Sequence, residues 1–528
     1  MATKSGGALP SVWHIAVLSR VVMLCLMLGF DTLLDDYDTS GRLFPDDGFA
    51  VSTENNAPFT KTCAAVQGLV TWDAVYFLRI ADVGYEHEQT HAFFPGWPLL
   101  IRAVATMGTW VVGTITQIVS GDSALLGLHW KASPSKCAAA SSALFLSNAA
   151  HVCAVVLLQK LGTVVLQDPD AARSAAVLFT MNPASAFHSA GYTESVFSFF
   201  SFFGFWLLTF ETASARNAAA LFFALGCFTR SNGVLNGLLL LHDFVTKVLP
   251  AVGVVWPASA VPVANLFAAL KKTKRKKNLV RATAVFLCRC LVTAAPLFLV
   301  QWFGYRTYCT NGRTLNPVTL NPNPKWCQVW RPFPNIYAHV QHEYWNVGFF
   351  KYYQAKQLPN FLLAAPALLV SCFAAWRWVQ VYLASLGDGG ERNGREVCEK
   401  TPWRGEVGKR NEKGARRRSA RVEKRNENVQ AFENQKSIRK DVSWMLASSV
   451  RPYLWKWFLM ATVSLLVMHV QVTTRFLSVT PGVYWFIAKQ GLSGDQRFAK
   501  TWRVLAAAYF ASFFFLGALL FPTFYPWT

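Results

Sequence analysis

Charge is scarce in this chain. Of 528 residues only 15% are Asp, Glu, Lys or Arg, against 53% hydrophobic. A soluble globular domain carries about 25% charged residues, and a surface this poor in charge does not stay in solution. A soluble enzyme is excluded, and the same composition excludes a disordered chain, a collagen and a disulfide-dense secreted scaffold. Acidic residues are scarcer still, 29 against 51 Lys plus Arg, for a net charge of +22. Basic excess can signal nucleic acid, but the runs Lys271 to Lys277 and Arg392 to Lys440 lack interleaved stacking aromatics. They sit between apolar segments, where the positive-inside rule reads them as cytosolic loops, so no nucleic-acid partner is expected. None of the 11 cysteines has metal-ligand spacing, and Cys288-Arg289-Cys290 is not a redox dithiol. The chain also lacks an Asn-x-Ser/Thr acceptor and any internal repeat on the scale of a carrier's halves.

Long apolar runs are abundant. A membrane-spanning helix needs about 20 apolar residues, and such runs occur at 13–30, 138–158, 172–188, 195–211, 283–303, 358–383, 453–473 and 503–521. The stretch 216–250 holds two short spans broken at Arg230-Ser231-Asn232-Gly233, which brings the expectation to ten. Because a bilayer leaves backbone groups no partner outside the segment, the fold class is all-α and polytopic. Trp13 to Phe30 is apolar except for His14, Ser19 and Arg20 and has no small-residue cleavage site, so it reads as an uncleaved first span. Residues 251–269, with Pro257 and Pro262, read as an interfacial helix.

The segment 94–118 opens Phe94-Pro95-Gly96-Trp97-Pro98 and contains Arg102. As a span it would send the polar cluster 182–194 and Arg230 to the cytosol; as a surface helix it leaves both in the lumen. The surface reading is preferred because chemistry-bearing groups should converge on one side. It gives lumenal loops at 31–136 and 304–357 and a catalytic membrane module over 1–383. A basic cytosolic loop at 384–450, of disorder-prone composition, then precedes C-terminal helices at 451–528. Cys309 and Cys327 share the second lumenal loop and can pair in an oxidising compartment.

Polar residues at membrane depth are costly unless they serve a wet cavity, so they mark candidates. Asp73 follows Trp72 at the start of a short amphipathic helix in the first loop. There a carboxylate is partly desolvated yet ionisable, as a general base for a sugar hydroxyl must be; the plain alternative is a helix cap beside an interfacial Trp. Glu86, His87, Glu88 and His91 contain metal-type side chains without fixed spacing, and no metal is assigned. Glu194, in Gly191-Tyr192-Thr193-Glu194-Ser195, and Arg230 are either substrate contacts or turn and snorkelling residues. Tyr344, Trp345 and Asn346 set rings among amides, which suits sugar recognition and equally a membrane-interface belt. Arg475 fits a bidentate phosphate clasp or a helix-end anchor.

Taken together, these blocks resemble a known family. Trp72-Asp73-Ala74, Gly84-Tyr85 and Ala92-Phe93-Phe94-Pro95-Gly96 look like the first loop of the PIG-V family of GPI mannosyltransferases. Asn182-Pro183-Ala184, Glu194-Ser195 and Arg230-Ser231-Asn232-Gly233 resemble its middle motifs. Tyr344-Trp345-Asn346-Val347-Gly348-Phe349, Thr474-Arg475-Phe476-Leu477 and Pro526-Trp527-Thr528 resemble its later ones. The insertion around 388–440 and the residues before Trp72 depart from the pattern. The resemblance implies a GT-C fold with lumenal juxtamembrane helices in the endoplasmic-reticulum membrane. It implies transfer of an α1,6-linked second mannose from dolichyl-phosphate mannose to a mannosylated GPI precursor. Asp73 falls at the acidic position that serves such enzymes as base, and Trp72, His91, Glu194, Arg230, Tyr344, Trp345, Asn346 and Arg475 become substrate-binding candidates. No cofactor beyond the lipid-linked donor is implied, and a small accessory membrane subunit is a compatible partner. The rival readings are another mannosyltransferase of the same compartment and, from a different class, a polytopic lipid or solute transporter.

Overall fold

The structure is a computed structural model that describes residues 11–37, 66, 68–120, 135–252, 273–310, 325–328, 335–391, 443–525 and 527. The described residues form helices and turns with no strand among them. In chain order the helices that matter are α1 (Val12–Leu33), α2 (Asp73–Val83), α3 (Gly96–Ser120), α4 (Lys136–Leu166), α5 (Pro169–Thr180), α6 (Glu194–Leu208), α7 (Ala213–Thr229) and α8 (Gly237–Asp243). They continue as α9 (Thr273–Tyr305), α10 (Ile336–Glu343), α11 (Leu358–Glu391), α12 (Arg451–Leu466), α13 (Thr473–Ser478), α14 (Pro481–Gly491) and α15 (Gln496–Leu520).

Six helical stretches are long and apolar enough to cross a membrane: Val12–Leu33, Lys136–Leu166, Ser231–Ala251, Lys276–Cys309, Ala355–Ser385 and Gln496–Leu520. Their 21 to 34 residues exceed the roughly 20 needed to cross a ~30 Å hydrocarbon layer. The other four expected spans are helices of 12, 15, 17 and 16 residues, namely α5, α6, α7 and α12.

The expected run 172–188 is broken rather than continuous. Helix α5 stops at Thr180, and a five-residue helix resumes at Ser185. Asn182 causes the stop by folding its Oδ1 onto the Ala184 N–H at 2.9 Å, while Pro183 has no N–H to continue the ladder. The freed carbonyls are taken up by Arg20 of α1, whose guanidinium donates to the Thr180 and Ser185 carbonyls and to the Ser185 and Ser189 hydroxyls. The lone arginine in the first apolar run is therefore a stitch between α1 and the break.

Helix α3 covers the doubtful segment 94–118 and is not among the six candidate spans. It packs on α2, α4 and α7, and Arg102 donates to the Ala81 and Asp82 carbonyls at the end of α2 (3.2 and 3.0 Å). Its start abuts the end of α7 so closely that a Cβ on Gly96 would stand 2.6 Å from the Phe228 carbonyl oxygen. The glycine of the Pro-Gly-Trp-Pro run is thus needed for backbone contact, not for chain reversal.

Two apolar cores result. One gathers α4 to α7 with α12 and α14; the other packs α2 and α3 against α1, α4 and α15. The second matters for the site, because it fixes the first loop to the helical body. Cys309 and Cys327 are joined, tying the end of α9 to a turn at Lys325–Gln328. The expected interfacial helix at 251–269 and the basic loop at 384–450 lie largely outside the described residues.

Candidate active site

The site begins with a tight entry into α2. Trp72 holds φ +56°, a left-handed conformation uncommon for a bulky residue, and Asp73 is the first residue inside the helix rather than its cap. The Asp73 N–H donates to the Tyr192 hydroxyl at 2.9 Å, so its carboxylate is free to face outward. That carboxylate accepts from Arg475 Nη1 at 3.3 Å and stays 37% exposed. The capping alternative is therefore not what the side chain does.

Arg475, on the short helix α13, lies over the rings of Phe187 and Tyr192, 4.3 and 4.8 Å from their centroids. Its Nε donates to Glu194 Oε1 at 2.9 Å. The same oxygen takes Arg230 Nη1 at 2.5 Å. Glu194 is the first residue of α6 and is completely buried; Arg230 caps the end of α7 and also donates to the Thr193 hydroxyl. Two carboxylates and two guanidiniums thus stand in one series: Asp73, Arg475, Glu194, Arg230.

The two acids differ. Burial alone pushes the Glu194 carboxyl up, but Arg230 and Arg475 outweigh it and hold it down at about 2. Burial would likewise weaken the Arg475 charge, and Glu194 and Asp73 reverse this and raise its pKa. One oxygen of Glu194 is shared by both guanidiniums. Asp73 is more open and is held by a single longer contact, which leaves its carboxylate accessible from the cleft.

The series opens into a cleft of about 210 Å³ that is open on one side. Its charged floor is Asp73, Arg230 and Arg475; Phe77, Phe93, Phe94 and Trp345 supply rings, and Asn232, Tyr337, Gln341 and His469 supply polar groups. Rings beside amides suit a sugar, whose CH faces stack while its hydroxyls find hydrogen bonds.

Of the residues singled out from sequence, Asp73, Arg230, Trp345 and Arg475 line this cleft, and Glu194 stands directly behind it. The others lie elsewhere. Trp72 turns away, its Nε1 3.4 Å from the Phe521 carbonyl. His91 is fully buried among Tyr85, Phe303 and Tyr308, and that burial, only partly offset by the backbone of His87 and Glu88, lowers its pKa to about 4. Tyr344 gives its hydroxyl to Glu88 at 3.2 Å. Asn346 occupies a left-handed turn at φ +51° outside the cleft lining. Sequence reasoning gave no individual role to Phe77, Asn232, Tyr337, Gln341 or His469. Asn232 had a signal, since it belongs to the Arg230 break; Tyr337 had none, being an ordinary aromatic on a polar loop.

Fold and site together define a helical membrane protein whose scattered charges converge on one open, ring-walled cleft. The family model described as mannosyltransferase (PIG-V) matches residues 10–528, so the chain belongs to that family and is a glycosyltransferase. It is 28% identical to the GPI alpha-1,6-mannosyltransferase 2 of Homo sapiens and to that of Cricetulus griseus, over 98% of each chain. It is 27% identical to the GPI mannosyltransferase 2 of Drosophila pseudoobscura pseudoobscura, over 98% of this chain and 99% of the other. Among solved structures, the Archaeoglobus fulgidus oligosaccharyltransferase aligns with 96% of this chain and 55% of its own at 13% identity, with a TM-score of 0.32.

Proposed function

We propose that this protein transfers the second mannose, α1,6-linked, from dolichyl-phosphate mannose to a mannosylated GPI precursor. The reaction would occur at the lumenal face of the endoplasmic-reticulum membrane, within a GT-C-type fold. Full-length similarity to relatives named GPI alpha-1,6-mannosyltransferase 2 supports the transferase and its acceptor class. The observation that carries the mechanism is the pairing of one accessible carboxylate with one buried-side guanidinium in the cleft, Asp73 and Arg475 at 3.3 Å.

Asp73 removes the proton from the acceptor hydroxyl as its oxygen attacks the anomeric carbon of the donor. The bond from that carbon to the phosphate oxygen breaks, and its electron pair leaves with dolichyl phosphate. Asp73 ends protonated, the phosphate gains one negative charge, and a β-linked donor yields an α-linked product by single inversion. Arg475 and Arg230 offset the charge that develops on the leaving phosphate. No covalent intermediate, nucleotide or protonated leaving group is required, so the lipid-linked donor is the sole co-substrate. His469 and Gln341 are placed among the lining groups that can meet sugar hydroxyls.

The test is transfer by the purified protein from dolichyl-phosphate mannose to a monomannosyl GPI acceptor. Formation of the dimannosyl product supports the reading, and its absence with a competent positive control refutes it. Cells lacking the protein should accumulate the one-mannose intermediate; an intact precursor ladder would favour a transporter instead.

A further inference from the structure

We propose that Glu88 is a positioning residue that latches the second loop onto the first and thereby sets one wall of the cleft. The inference rests on the transferase reading for its kinetic consequence, though not for its geometry.

Glu88 belongs to the Glu86-His87-Glu88 run that the site does not use. Glu86 is spent on Arg79, at 2.8 Å from Nε. Glu88 opens the turn Glu88–Ala92, and its side chain is only 14% exposed. Its carboxylate accepts from Trp326 Nε1 at 2.5 Å and from the Tyr344 hydroxyl at 3.2 Å, and His339 Nε2 lies 3.6 Å away. All three partners come from the second loop, and they bracket α10. Trp326 adjoins Cys327, which is joined to Cys309. One carboxylate therefore grips the loop beside its covalent root, on its helix and just past that helix. Bonds to an ionised acceptor are roughly twice as strong as neutral ones.

Helix α10 is also seated on α9 and on the turn after α7. Ile336 fills the space over Gly304, where an added Cβ would come within 2.6 Å of it. The Tyr337 N–H donates to Gln301 Oε1 at 3.1 Å, and Ser231 donates to the Tyr337 hydroxyl at 2.8 Å. From this helix and the residues after it, Tyr337, Gln341 and Trp345 reach the cleft. Glu88 itself is not among the cleft-lining residues. It acts through α10, and the groups it places are rings and an amide, the kind that hold a glycan rather than move a proton. Tyr344 is accordingly part of the latch and not a substrate contact.

The test uses the full-length protein with Glu88→Ala, Glu88→Gln, Tyr344→Phe and the Glu88→Ala/Tyr344→Phe double variant. Glu88→Ala should raise the apparent KM for the GPI acceptor about tenfold with kcat held within about twofold. Glu88→Gln, whose amide oxygen still accepts from Trp326 while its NH2 can donate to the Tyr344 hydroxyl oxygen, should recover most of that loss. Tyr344→Phe should cost about two- to threefold, and the double variant should be no worse than Glu88→Ala, since both break one contact. A fall in kcat at unchanged KM overturns the proposal. So does a double variant whose loss is the product of the two, which would put Tyr344 on the substrate. If Glu88→Ala is depleted from membranes, Glu88→Gln and Tyr344→Phe carry the kinetic test alone.

A second readout needs no activity. Reductive opening of Cys309–Cys327 by dithiothreitol, followed by maleimide labelling, should be several-fold faster in Glu88→Ala because Trp326 is no longer held beside it. An unchanged rate overturns the latch. Wild-type protein that shows no transfer refutes the proposed function, and the labelling experiment then still decides the role of Glu88.

Discussion

Helix α6 has a four-membered charge cluster at each end, and the two are alike on paper. At its start stand Asp73, Glu194, Arg230 and Arg475; just past its end stand Glu211, Asp243, Arg216 and Lys247. Each has two carboxylates and two cations, and roughly 22 Å of helix separates them. In the second cluster each acid is matched to a base: Arg216 holds both oxygens of Asp243, at 2.5 and 3.3 Å, and Lys247 holds Glu211 at 2.6 Å. Nothing is left over, and the pairs fasten the turn after α6 and the start of α7 to the end of α8. In the first cluster two guanidiniums crowd one oxygen of the fully buried Glu194, and Asp73 keeps only one long contact beside an open cleft. The same count of paired acids and bases gives closed pairs in one place and an accessible carboxylate in the other. Incomplete pairing next to a cavity makes the difference.

The largest expected effect separates the clusters by chemistry. Asp73→Asn should lower transfer by about 10²- to 10⁴-fold, the usual worth of a general base, while membrane abundance stays at the wild-type level. Near-normal production of the dimannosyl precursor by this variant would remove Asp73 from the mechanism and erase the distinction between the two ends.

The next effect concerns stability. Glu194→Ala takes the shared acceptor from two largely buried guanidiniums, leaving Arg475 with Asp73 and Arg230 with the Thr193 hydroxyl. Breaking a buried pair typically costs about 3–5 kcal/mol, so its thermal midpoint in detergent should drop below that of Asp243→Asn in the second cluster. A midpoint within a degree or two of wild type would show that the arginines hold their places without Glu194.

A third prediction sharpens the comparison through acid. His91 titrates near 6.5 when unfolded and at about 4 in its aromatic box. Between those values the unfolded chain binds a proton that the folded chain does not, so stability falls as pH drops from 6.5 towards 4 and levels off below. The shift corresponds to a loss on the order of 3 kcal/mol. Glu194 adds its own loss only at lower pH, between the ordinary carboxylate range and about 2. His91→Phe should make the upper window shallower by that contribution and leave the lower one intact. Unchanged acid sensitivity between pH 6.5 and 4 would mean that another group senses it.

How much of this was legible beforehand follows the same divide. Asp73, Glu194, Arg230 and Arg475 stood out because charge is rare in apolar surroundings, and rarity is a property of sequence. Their pairing was not legible, since Arg475 meets Asp73 across 402 residues and Glu194 across 281. His91 and Tyr344 stood out because their ring and hydroxyl chemistry suits sugars, with no sign in the sequence of the burial of the one or of the bond from the other to Glu88. The second cluster was passed over entirely: turn charges are commonplace, and only the spacing of Asp243 and Lys247 hinted at a pair. The break after Thr180 was written in Asn182-Pro183, but the apolar residues on both sides outweighed it when the run was read for length.

The smallest expected effect is the most direct attempt to break the comparison. Asp243→Asn removes one charge from the second cluster while keeping an oxygen for Arg216, which also donates to the Glu211 carbonyl, and Lys247 keeps Glu211. Arg216 and Asp243 are largely buried, their side chains 13% and 8% exposed, but each remaining group retains a partner, so the cost should stay below the about 3–5 kcal/mol of a broken buried pair, read as a modest fall in thermal midpoint. Transfer should stay within about twofold of wild type, since no member of this cluster reaches the cleft. A loss of activity in Asp243→Asn comparable to that of Asp73→Asn would mean that the far end of α6 is coupled to the reaction, and that complete pairing does not mark a merely structural role.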